Sequence, residues 1–294
     1  MGYIAKVLTY CTLILMKTKI VVIVGPTAVG KSDYAVQYAL EHNGEVISAD
    51  SRQVYKGLDI GTGKITAGEM RGIPHHLLDV ANPDDKFNVE KFKVLAQQAI
   101  EDIVSRGKLP IICGGTGFYI DALVNNISYP HVPHDEILRS ELENKPAEEL
   151  FNILFSLDSV YASGLNNSEK NNGHRLVRSI EIAKALGKVP KIEKFDSPYD
   201  VTWINLNLPT EQLRERINKR LIKRIENGMI EEVENLHKNG LSWQRMDELG
   251  LEYRYIAQYL QNLISKDEMI AKLQFEIWHY ARRQILWFKR YKSN

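Results

Sequence analysis

The stretch "IVVIVGPTAVGKS", residues 20–32, constrains the fold more than any other part of the chain. Its first five residues are apolar without a break, as a short strand buried on both faces requires. The next eight fit G-x-x-x-x-G-K-[ST] without exception. At average glycine usage, a chance match in a chain of 294 residues is on the order of 1%. Gly25 and Gly30 permit a tight turn, and with Pro26, Thr27, Ala28 and Val29 between them the backbone N–H groups point inward. A helix beginning at Lys31 adds the positive end of its dipole. Lys31 supplies a point charge, and the Ser32 hydroxyl is the expected ligand of a phosphate-bound Mg²⁺. The pattern alone is that of nucleotide and ATP binding. A glycine turn with no ligand is the bland alternative.

Downstream segments extend the frame. A helix is expected over about 31–40 and a strand over 45–49, ending at Asp50. Residues 88–106 place Phe92, Leu95, Ala96, Ala99, Ile100 and Ile103 at helical spacing, and Gly107 stops that helix. A strand over 109–113 then runs into "GGTG". Strand, helix, strand at these lengths predicts an α/β fold: a P-loop NTPase-like parallel sheet flanked by helices. Ligands of such sheets sit beyond the carboxyl ends of the strands, where the phosphate loop, Asp50 and the "GGTG" turn all lie.

Residues 128–200 differ. Helical patterns alternate with polar loops, "NNSEKNNG" (166–173) among them, so this stretch reads as a mostly helical insertion. Residues 202–206 read as a return strand, and the chain is expected to be helical after Pro209, broken near Gly240 and Gly250. The catalytic core is therefore 19–127 with 201–294. Residues 3–16 are apolar except for Lys6, shorter than the ~20 residues a membrane span needs, and no small-residue cleavage site follows them. Residues 1–18 are expected to be a dispensable extension, with Met16 a candidate for the true start. Cys11 and Cys113 lie far apart and belong to no C-x-x-C pair, which argues against a thiolate zinc site and fits a reducing, cytoplasmic setting. The pairs His75–His76 and His131/His134 have no acidic or thiol neighbours at ligand spacing and read as structural.

The loop does not settle the chemistry. A GTPase needs N-K-x-D, and "NKPA" (144–147) lacks the Asp. "EVISAD" is a weak metal-binding strand for a motor ATPase. A small-molecule kinase and a non-catalytic RNA binder remain open. The segments "DSRQVYKGLDIGTGKIT" (50–66), "PHHLLDV" (74–80), "GGTGFYI" (114–120), "HRLVRSIEI" (174–182), "ELGLEYR" (248–254) and "ARRQILWFKR" (281–290) bear on the choice. With the phosphate loop, this series resembles the tRNA dimethylallyltransferases from about Lys17 to Lys292.

The resemblance implies transfer of a dimethylallyl group from dimethylallyl diphosphate to N6 of the adenosine 3′ of the anticodon, in tRNAs reading codons that start with U. Diphosphate leaves, and Mg²⁺ is needed. It implies Asp50 as the catalytic base, which the chemistry requires because an exocyclic adenine amine is a weak nucleophile. A helix cap or a metal ligand is the other reading of Asp50. Thr116 and Arg220 are implied beside the diphosphate, with Arg216 the alternative to Arg220. Asp50, Ser51, Arg52 and Gln53 match the segment around the target base. His174, Arg175, Leu176, Val177 and Arg178 match a tRNA-contacting segment, as do Arg139, Leu249 to Arg254, and Arg282, Arg283 and Gln284 through Lys289. Glu252 departs from the pattern, which often has glycine there. No zinc-finger pattern follows the basic helix, so the bacterial form is expected, as a monomer.

Total charge is uninformative, with 38 Lys+Arg against 37 Asp+Glu, but its distribution is not. Residues 211–224 hold six basic and two acidic residues; residues 281–294 hold five basic and no acidic ones, with Trp287, Phe288 and Tyr291 interleaved. Basic residues beside aromatics suit a phosphate backbone and unstacked bases. The alternative is an amphipathic helix with buried aromatics and solvated cations. The insertion is expected to grip the anticodon stem.

Overall fold

The computed structural model describes residues 17–291. The expectations for residues 1–16, including Cys11 and a start at Met16, lie outside the described residues, as does Lys292. The described chain forms two compact units, 127–195 and the remainder. The insertion thus ends about five residues before the expected edge at 200 and begins within one residue of 128.

The larger unit opens with β1 (Thr18–Val24), α1 (Lys31–Glu41), β2 (Gly44–Ser48), α2 (Ala67–Met70), β3 (His75–His76), α3 (Val89–Ser105), β4 (Leu109–Cys113) and α4 (Gly117–Val124). The smaller unit holds β5 (Ile127–Ser128), α5 (Glu136–Leu142), α6 (Ala147–Leu157), α7 (Ser159–Ser163), α8 (Asn167–Lys170), α9 (Gly173–Leu186) and β6 (Glu193–Lys194). The chain then returns through β7 (Tyr199–Asn205) to α10 (Thr210–Glu226), α11 (Met229–Lys238), α12 (Trp243–Leu249), α13 (Leu251–Leu260) and α14 (Lys266–Phe288).

The sheet of the larger unit runs β3-β2-β4-β1-β7, every neighbouring pair parallel. β1 is interior, and Ile20 to Val24 are buried on both faces, which explains the unbroken apolar run. One face packs on α3 through Phe92, Ala96, Ile100 and Ile103, the stripe that the helical spacing predicts. The other packs on α1 through Ala35 and Ala39. A third core joins α10 to α14, and into it run Val54, Tyr55 and Leu58 from the segment after β2. That helical layer is the back wall of the site.

Three expectations need correcting. The C-terminal helices break at Asn227–Gly228 and at 261–265 as well as near Gly240 and Gly250. Gly228 and Asn262 both adopt left-handed backbone, which ends a helix. The return strand runs Tyr199–Asn205, three residues earlier than its apolar core suggests, because the whole segment pairs in register with β1 from Thr18 onward. The polar stretch 166–173 is not all loop: Asn166 and Glu169 form a reciprocal capping box that starts α8.

Candidate active site

The phosphate loop leaves β1 at Gly25, whose φ is +145° and where a Cβ would meet the Leu206 carbonyl oxygen at 2.4 Å. Only glycine fits there. Ala28 (φ 66°) and Gly30 (φ 100°) are also left-handed, and Gly30 caps α1 with no side-chain hydrogen bond to its first amides. Those amides are left for a ligand. Lys31 Nζ donates to the Pro26 carbonyl across the loop at 2.8 Å.

A cleft of about 560 Å³ opens over the loop. Thr27, Lys31 and Ser32 line it from the loop, Asp50 and Gln53 from the end of β2, and Arg216, Arg220, Lys223 and Arg224 from α10. Ile60, Gly63 and Ile65 form its other wall. Burial pushes the Lys31 ammonium down to about 8, with Arg220 lowering it further against the pull of Cys113 and Asp50. Burial also presses Arg220 below the usual arginine range, helped by Arg224. An arginine stays charged even so. The cleft is thus cationic and partly desolvated, a place where anions gain more than in water.

Asp50 Oδ1 accepts from the N–H groups of Arg52 (2.8 Å) and Gln53 (3.3 Å), a turn that fixes the carboxylate and leaves Oδ2 for the cleft. Gln53 is held by Ser48 Oγ at 3.4 Å and its Nε2 donates to the Gly63 carbonyl at 3.5 Å. Arg220 Nη2 donates to Thr27 Oγ1, while Arg216 lies more exposed over Gly30. Both arginines therefore belong to the cleft, and Arg220 is the one bonded to the loop. The Thr116 hydroxyl accepts the Ser51 N–H at 3.0 Å, which ties the "GGTG" turn to the Asp50 turn. Arg52 Nη2 donates to the Glu248 carbonyl at 3.3 Å.

Gln284 is not a surface residue. It is buried on α14, accepts the Thr27 N–H at 2.7 Å and donates to the Gly115 carbonyl at 3.0 Å. It joins the phosphate loop to the "GGTG" turn. Its neighbours Arg282 and Arg283 are exposed, as are Lys289 and Arg290. The aromatics beside them serve packing. Phe288 is buried, Trp287 Nε1 donates to Asp121 at 3.1 Å, and Tyr291 stacks on Trp203 at 3.8 Å with its hydroxyl on Asp121. Arg254 pairs with Asp247 at 2.8 Å beside a second, more open cleft that includes Lys272.

In the smaller unit, Glu181 is buried and gathers Arg139 (2.6 Å), Arg178 (3.1 Å) and the Asp135 N–H (3.0 Å). Burial works against its charge, but these partners outweigh it and hold the carboxyl down at about 2. Arg178 also donates to the Val132 carbonyl at 2.8 Å. His174 and Arg175 are exposed, whereas Leu176 is turned into the core and Val177 packs against it. Leu176 is thus a packing residue, not a contact. Among the described residues no group of three or more His, Cys, Asp or Glu could hold a metal ion. His76 instead sits 2.8 Å from Glu45.

Two contacts that sequence reasoning passes over shape the cleft. Glu232 of α11 accepts the N–H groups of Asp59, Ile60 and Gly61, and the Tyr253 hydroxyl. Glu252 lies 3.5 Å from Arg224 behind the cleft wall. Both contacts join segments far apart in the chain, so no local signal announces them.

Residues 53–291 match the IPP transferase family. A tRNA dimethylallyltransferase 2 of Treponema denticola is 46% identical over 280 residues, covering 93% of this chain and 92% of its own. A tRNA dimethylallyltransferase of Anoxybacillus flavithermus is 40% identical, covering 93% and 88%. The crystal structure of a tRNA isopentenylpyrophosphate transferase from Bacillus halodurans superposes with a TM-score of 0.70 at 39% identity, covering 95% of this chain and 88% of that one. A eukaryotic dimethylallyltransferase acting on tRNA superposes at 0.73 with 29% identity, covering 92% and 70%.

Proposed function

Since the chain belongs to the IPP transferase family, the tRNA dimethylallyltransferases, we propose that its cleft transfers a dimethylallyl group from dimethylallyl diphosphate to N6 of the adenosine 3′ of a tRNA anticodon. One observation carries this reading. A carboxylate, Asp50, faces the same cleft as a phosphate loop, with the cations Lys31 at the start of α1 and Arg220 on α10.

The diphosphate takes the open amides of the loop and the start of α1, with Lys31 and Arg220 on its oxygens. The N6 lone pair attacks C1 of the dimethylallyl group as the C1–O bond breaks. Diphosphate leaves with that electron pair, and the N6 proton passes to Asp50. Charge grows on the leaving group in the transition state, so fixed donors aimed at it stabilise that state more than the substrate. Gln53, anchored at both ends of its amide, presents a donor and an acceptor to the adenine edge. The target base must leave the anticodon-loop stack to reach Asp50.

Ser32 lines the cleft at the start of α1 with Asp33 and Asp50, and no group of three or more His, Cys, Asp or Glu gathers there among the described residues. That donor set fits a Mg²⁺ accompanying the diphosphate, which the Ser32 hydroxyl would hold. When bound, the ion neutralises charge on the leaving group. Thr116 acts by holding the Asp50 turn. The exposed Arg282 and Arg283, with His174 and Arg175 of the smaller unit, take tRNA phosphates. The protein works as a monomer in the cytoplasm. Replacing Asp50 by Ala tests the assignment: transfer should be lost while tRNA affinity stays within about twofold, and near-normal turnover would remove Asp50 as base. ATP consumed in place of label transferred to RNA would instead support a kinase.

A further inference from the structure

The cleft is lined by a cluster of cations, and one of them is paired from behind by a buried carboxylate. Arg220, Lys223 and Arg224 face it from α10 and Lys31 from α1. Four carboxylates line it: Glu69 caps α2 through Thr66, Asp59 pairs with Lys64, Asp50 accepts two backbone N–H groups, and Asp33 is exposed in the first turn of α1. Arg224 is built into the wall of the cleft. Its Nη1 donates to the Gly61 carbonyl at 3.2 Å, and its guanidinium lies so close over Gly63 (φ +61°) that a Cβ there would meet Nη2 at 1.6 Å.

Behind it stands Glu252, with Oε1 3.5 Å from Arg224 Nη1 and both side chains only 12% exposed. Glu252 does not line the cleft, so it cannot serve as base or touch the ligand. Its charge nonetheless acts on the cleft, because a buried carboxylate is poorly screened. This is also the position where the sequence departs from the glycine of the pattern it resembles. We propose that Glu252 is a positioning residue that acts through Arg224 as an internal counter-ion, weakening the hold of the cleft on the diphosphate that leaves. The inference rests on the reading of the cleft as a diphosphate site.

Burial raises the Glu252 carboxyl and Arg224 pulls it back toward the charged form. Paired in this way, Arg224 offers an incoming diphosphate less than a full charge. The counter-ion thus trades affinity for release of the product. An empty cleft without it would be a stronger anion trap and a slower enzyme once diphosphate accumulates.

Isothermal titration of the full chain with inorganic diphosphate at pH 7.5 tests this. Glu252→Gln keeps an acceptor oxygen for Arg224 and removes only the charge. It should bind diphosphate roughly tenfold more tightly than the wild type, the size of one unit charge acting across a partly screened interior. KM for dimethylallyl diphosphate should fall with kcat, a split that simple damage does not give. Glu252→Gly should shift affinity in the same direction. In an Arg224→Gln background most of the Glu252→Gln gain should disappear, the small remainder being the direct pull of Glu252 on Arg220. Unchanged or weaker diphosphate binding by folded Glu252→Gln overturns the counter-ion role, and a gain that is undiminished without Arg224 overturns the route. A wild-type protein that binds no diphosphate overturns the site reading beneath it, whatever the variants do.

Discussion

Removing Glu232 should loosen the cleft wall opposite the phosphate loop. Its two carboxylate oxygens take four donors: the N–H groups of Asp59 (3.0 Å), Ile60 (2.6 Å) and Gly61 (3.0 Å), and the Tyr253 hydroxyl (2.9 Å). In Glu232→Ala water can reach the Asp59 N–H, which is exposed. Ile60, Gly61 and the buried Tyr253 hydroxyl are worse served. Each poorly satisfied donor costs ~1 kcal/mol or more, so a loss of roughly 3 kcal/mol is expected. Urea unfolding with an unchanged m-value reads this directly. Tyr253→Phe removes one donor, and a double-mutant cycle should return a coupling of ~1–2 kcal/mol. The loop also carries the Gly63 carbonyl that anchors Gln53, so KM for tRNA should rise in Glu232→Ala. A stability loss under ~1 kcal/mol, or a cycle that is additive, would refute the claim that Glu232 holds the loop.

The same geometry sets other outcomes. Burial holds the Lys31 ammonium down at about 8, so at pH 8.5 a good part of it is neutral, and bound diphosphate should restore its proton. Titrations in two buffers of different ionisation enthalpy should show proton uptake that Lys31→Met abolishes. In the stability balance the sign is reversed from the usual ion pair: the depressed Lys31 value gives a contribution that rises from about pH 8 to 10.5. Glu181, held at about 2 against an ordinary 4.5, contributes stability that is complete above pH 4.5 and lost as pH falls toward 2. Glu181→Gln should flatten that part of the acid denaturation profile, by roughly 3 kcal/mol if the full shift is expressed. Gln284→Leu leaves the Thr27 N–H and the Gly115 carbonyl without their partner, and kcat should drop at least tenfold with tRNA affinity nearly unchanged.

The parts legible in the sequence are those written locally. The run Ile20 to Val24, the phosphate loop and the stripe on α3 each declare their structure within a few residues. The strand that ends two residues before Asp50 is legible for the same reason, and with it the cleft. Two misreadings have local remedies. Asn227–Gly228 is an ordinary helix stop, and Leu176 shares a stripe with Ile180 and Ala183, which turns it inward. Gln284 has no such remedy. It sits in a basic, outward-looking segment and is turned inward by partners more than 160 residues away. The pair Arg224–Glu252 and the grip of Glu232 are likewise products of how the C-terminal helices pack, and only the folded chain shows them.

On this reading the diphosphate held by the loop belongs to an isoprenoid, and the attacker is a tRNA base. Incubation of the protein with unmodified tRNA, Mg²⁺ and dimethylallyl diphosphate labelled in its carbon chain decides it. Label recovered at one adenosine, the nucleoside 3′ of the anticodon, is the predicted result. RNA that stays unlabelled while dimethylallyl diphosphate is left intact contradicts it.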